Sequence, residues 1–100
     1  MKIPRKITIG SRTFKIKKMA RISNESEWGS MDWDAGIIKY ADGKSKTRSG
    51  EKGKNKDIVI MHELTHAILE TMGREDMSQD EGLVEAQAWL YLQVFKQLRG

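Results

Sequence analysis

The sequence predicts an α+β domain in which a three- to four-stranded antiparallel sheet packs on two antiparallel helices. Three observations predict it. Over residues 3–40 apolar side chains alternate with polar ones at period two; over 58–72 and 83–98 they recur at helical spacing; and 41–56 between them holds no large apolar residue. One hundred residues with 38% hydrophobic content make a single domain, 1–100, small enough that a bound metal would add needed stability.

Residues 1–40 form the sheet region. Ile3, Ile7 and Ile9 alternate with Lys6 and Thr8, and after Gly10-Ser11-Arg12 the run Thr13-Phe14-Lys15-Ile16-Lys17 resumes the period, which reads as a β-hairpin. Pro4 is tolerable at a strand start or edge. Residues 20–27 are polar connection. Trp28 to Trp33 and Gly36 to Tyr40 read as two further strands joined through Asp34-Ala35. Residues 41–56, rich in Lys and Gly, cannot bury enough surface to offset their ordering entropy and read as a basic mobile surface loop, with a substrate or partner contact as the alternative.

The first helix should span 57–73, with Asn55 or Asp57 as its N-cap and Gly73 ending it in a left-handed turn. Arg74 to Met77 is a turn. Ser78-Gln79-Asp80-Glu81 has the form of a capping box, so the second helix should span 78–99. Its apolar residues cover most of its circumference, which implies burial against both the first helix and the sheet. Trp28, Trp33 and Trp89 are expected in the core, with Met61, Met72 and Met77 filling gaps.

The net charge of +4 divides unevenly: residues 1–56 hold 15 Lys and Arg against 6 Asp and Glu (+9), and residues 57–100 hold 3 against 8 (−5). The positive charges are spread along strands and a loop, so nucleic acid is not the expected partner. The chain has no cysteine, which excludes disulfides, thiolate metal sites and a thiol nucleophile. Behind Met1-Lys2-Ile3-Pro4-Arg5-Lys6 there is no apolar leader core, and the longest aliphatic run, Ile58 to Met61, is far too short for a bilayer. A cytoplasmic protein without a membrane partner is expected.

Inside the first helix stands His62-Glu63-Leu64-Thr65-His66, and these are the only two histidines of the chain. Residues four apart on a helix share a face, so both imidazoles converge on one point, a two-point grip suited to zinc. Glu63, rotated from them, can act as general base on a zinc-bound water. A third ligand must come from the second helix, whose carboxylates are Asp80, Glu81 and Glu85. Helix-hairpin geometry slightly favours Glu85, and a capping role accounts for Glu81 without metal; spacing alone leaves the choice even.

His62-Glu63-Leu64-Thr65-His66 followed by Glu81-Gly82-Leu83-Val84-Glu85-Ala86-Gln87-Ala88 resembles the gluzincin pattern. The resemblance implies Glu81 as third ligand, Glu85 as hydrogen-bond partner of a ligating histidine, and Ala88 as the small residue that follows. More narrowly the chain is similar to short ImmA/IrrE-like metallopeptidase proteins encoded by phages and mobile elements, weakly at Trp28-Gly29 and Ile37 to Tyr40 and well from Ile58 to Leu98. It implies a minimal zincin core with one Zn2+, a zinc-dependent endopeptidase acting on a protein or peptide substrate, regulatory proteolysis, and a host-cytoplasm location. Tyr40, Tyr91 or an arginine would have to stabilise the oxyanion, and the strand Ile37 to Tyr40, if at the sheet edge, would hold an extended peptide. The alternative is a catalytically silent, zinc-stabilised module that binds a protein or nucleic-acid partner.

Overall fold

The computed structural model describes residues 2–19, 28–41 and 56–99. The polar connection 20–27, the basic loop from 42 to 55 and the Asn55 cap lie outside the described residues.

β1 (Lys6–Ile9) and β2 (Arg12–Met19) form the expected hairpin, with Ile9 opposite Arg12 and Gly10 at φ +63° turning the chain. β3 (Gly29–Asp32) and β4 (Ile37–Ala41) form a second hairpin, whose turn is held by the Asp32 carboxylate accepting from the Ala35 N–H at 3.0 Å. Arg12 ties the two hairpins together. Its guanidinium lies 5.3 Å from the Phe14 ring centre and 4.5 Å from that of Trp33, and donates to the carbonyls of Trp33 and Asp34.

The sheet is mixed, not antiparallel: its order is β1-β2-β4-β3, and β2 runs parallel to β4 with Ile16 beside Ile38. Period two fixes which face of a strand is buried but not which strand of a hairpin docks on its neighbour. Docking through β4 sets Ile38 and Tyr40 next to Phe14 and Ile16 in one apolar layer. It also makes β4 an interior strand, so the sheet edge expected at Ile37 to Tyr40 is not there, and the edge on that side is β3.

α1 (Lys56–Thr71) crosses the sheet and gives Val59, Ile60 and Ala67 to that layer. Ile38 is fully buried there, so Ile38→Val should cost about 1 kcal/mol through a small unfilled volume, measured as a lowered urea midpoint at unchanged slope. The helix ends as expected. Gly73, at φ +76°, donates to the Glu70 carbonyl and Arg74 to that of Leu69, so the last carbonyls are satisfied by a left-handed turn.

The next segment corrects the predicted capping box. Glu75–Ser78 is a one-turn helix, α2, and the N-cap of α3 (Glu81–Leu98) is Asp80, whose carboxylate accepts from the Leu83 N–H at 3.1 Å. Aspartate caps as well as serine and stands directly before the helix, which leaves the Ser78 hydroxyl free for another partner. α3 packs on α1 and α2 and not on the sheet. α1 already covers the sheet, so α3 forms a third layer and buries only Val84, Ala88 and Leu92. Trp89 is accordingly 54% exposed and not core. Among the described residues no helix is long and apolar enough to cross a membrane.

Candidate metal centre

α1 is the middle layer, buried against the sheet on one side and α3 on the other, and His62 and His66 stand on its α3 side. Their ring centres are 5.0 Å apart, edge to face. The turn through α2 brings the first residue of α3 over both rings. One oxygen of Glu81 lies 3.1 Å from His62 Nε2 and the other 3.2 Å from His66 Nε2. His62, His66 and Glu81 thus offer three ligand atoms within 4.8 Å of one another, close enough to bind a metal ion.

The remaining ring nitrogens are both engaged. His62 Nδ1 lies 2.8 Å from Glu85 Oε2, and His66 Nδ1 lies 2.8 Å from Ser78 Oγ. His62 faces a carboxylate at each ring nitrogen, so a cation taken up at Nε2 would leave the Nδ1 proton to be held by Glu85. The Ser78 hydroxyl can likewise accept from His66 Nδ1 when Nε2 holds a cation. Burial holds the His66 pKa below the ordinary histidine value against the pull of Glu81, with His62 adding to the lowering. Two imidazole Nε2 atoms and a carboxylate thus meet at one point, where either ring protons or a cation can stand between them. The donor set of two imidazoles and one carboxylate fits zinc.

Of the two glutamates that spacing left even, Glu81 faces both Nε2 atoms and Glu85 lies against the far nitrogen of His62. The Asp80 cap accounts for this, since it starts α3 at Glu81 and puts Glu85 one turn further on. Ala88 is fully buried at the α1–α3 contact. Ser78 is a contact the sequence reasoning missed. Its signal was the presence of two candidate caps, Ser78 and Asp80, of which a helix needs one. Holding the tautomer raises ligand basicity, so Glu85→Gln and Ser78→Ala should each weaken zinc about 10- to 100-fold in competition with a chromophoric chelator.

Glu63 stands apart from that group of three, 9% exposed, turned toward β3. Gly29 makes room for it: a Cβ there would lie 2.8 Å from Val59 Cγ1 and 3.0 Å from Glu63 Cγ and Oε2. Gly29→Ala should therefore cost about 1–3 kcal/mol and displace the Glu63 carboxylate, read by thermal melts beside any hydrolytic assay. Trp28, Gly29 and Ser30 on one side and His62, Glu63, His66, Glu81 and Glu85 on the other enclose a cleft of about 470 Å³. The oxyanion candidates are not brought to it. Tyr40 belongs to the core, Tyr91 lines a groove elsewhere, and no described arginine lines the cleft.

Compared with known proteins, the chain matches no family model, and no curated protein or solved structure is significantly similar to it.

Proposed function

We propose that the protein is a zinc-dependent peptidase acting on an extended segment of a protein substrate. The observation that carries this reading is the convergence of His62 Nε2, His66 Nε2 and the Glu81 carboxylate beside a buried glutamate, Glu63, that is not part of that group. Bound there, zinc would supply Lewis acidity toward a water and a carbonyl oxygen. His62 and His66 would hold it, oriented by Glu85 and Ser78, with Glu81 as the third ligand. Glu63 takes a proton from the attacking water and returns it to the departing amine nitrogen. The edge strand β3 borders the cleft through Gly29 and Ser30 and offers main-chain groups to a peptide lying alongside. Such a peptide is held without any demand on its side chains.

The test is a digest of peptides from a bacterial lysate, incubated with the zinc-loaded protein and searched by mass spectrometry for new termini. Cleavage should appear with zinc and vanish with a chelator. A second reading is favoured by one observation, the lack of any oxyanion-stabilising donor from Tyr40, Tyr91 or a described arginine at the cleft. It is a silent zinc-stabilised module, and zinc-saturated protein that cleaves nothing in the digest would select it.

A further inference from the structure

Away from the cleft, the C-terminal half of α3 carries an apolar stripe that none of the described elements covers. At 100° per residue Leu90, Tyr91, Val94, Phe95 and Leu98 fall within one sector of about 140°, in the half of the helix beyond Glu81 and Glu85. All five are exposed, from 42% at Tyr91 to 77% at Leu98, and no charged residue interrupts them. Beside the stripe runs an apolar groove of about 380 Å³ floored by Ile3, Ile7, Leu64 and Ile68, with Tyr91 and Phe95 as its rim.

We propose that this face pairs with a second copy of the chain through a two-fold axis near Val94. The area supports it. From their exposures the five residues present about 500 Å² per protomer, main chain and the Tyr91 hydroxyl included, so a pair that covers them fully comes to about 1,000 Å² before the groove is counted, the low end for a specific interface. The arrangement is also self-complementary. Two α3 helices crossing antiparallel at Val94 set Leu90 of one protomer against the partner's Leu98 and the reverse, with Phe95 next to the groove. Because Glu81 stands thirteen residues, about 20 Å of helix, before Val94, pairing leaves the cleft open, and the dimer is independent of the metal.

Sedimentation equilibrium of the full chain, with and without a chelator, tests this over about 1–100 µM, the range of modest self-association. Wild type should dimerise reversibly in both. Val94→Glu brings two carboxylates together at the axis, and Leu98→Glu buries one against Leu90. Each should weaken pairing at least about tenfold. Both positions are exposed in the protomer, so far-UV circular dichroism should stay unchanged and Leu98→Met should still pair. A wild type that remains monomeric throughout, including one that instead binds phosphatidylcholine vesicles, would overturn the proposal. So would a dimer indifferent to both glutamate substitutions.

Discussion

Glu63→Gln should leave the fold and its zinc intact while lowering peptide hydrolysis by about a hundredfold or more. Glutamine has almost the shape of glutamate, so the fit against Gly29 survives and the enclosed side chain adds no bulk. What disappears is the ability to accept a proton. Because Glu63 is outside the His62, His66 and Glu81 group, metal content measured by mass spectrometry should equal that of wild type. The loss should fall on kcat and not on KM, since proton transfer is felt in the transition state and the peptide rests on β3. A variant as active as wild type would remove Glu63 from the chemistry. One that arrives without zinc would make Glu63 part of the ligand set and undo the geometry proposed above.

Stripping the metal should lower the melting temperature by roughly 10–20 °C, because zinc at a hundredfold excess over its dissociation constant stabilises by about 2.7 kcal/mol and a domain of this size shifts several degrees per kcal/mol. The shift should vanish in His66→Ala and in Glu81→Gln, where scans with zinc and with chelator should superimpose. Equal melting of wild type in both would show that the three side chains do not bind metal. Acid adds a signed check. Burial lowers the folded pKa of His66, so the unfolded chain takes up the proton more readily, and metal-free protein loses stability as pH falls through the ordinary histidine value. Zinc-loaded protein should hold its stability further into acid, because the occupied lone pairs cannot be protonated until the metal leaves.

The motif helix was legible because its evidence is local. His62 and His66 four apart, an uncharged run around them and Gly73 at the end determine a helix with two imidazoles on one face wherever it packs. The two hairpins were legible for the same reason, their periodicity and their turns lying within a few residues. Trp89 misled, since an aromatic residue in an apolar helix looks like core until the number of layers is known. Ser78 misled because Ser78-Gln79-Asp80-Glu81 has the capping-box form, although Asp80 caps the helix by itself.

Residue order alone was thus enough for the α+β class, the histidine pair and the short list of glutamates. Only the packed molecule decided that β4 docks beside β2, that β3 borders the cleft, and that Glu81 faces both imidazoles while Glu85 and Ser78 sit behind them. Periodicity reports which side of an element avoids water; the neighbour against which that side is placed depends on contacts between segments far apart in the chain, and no local pattern records those.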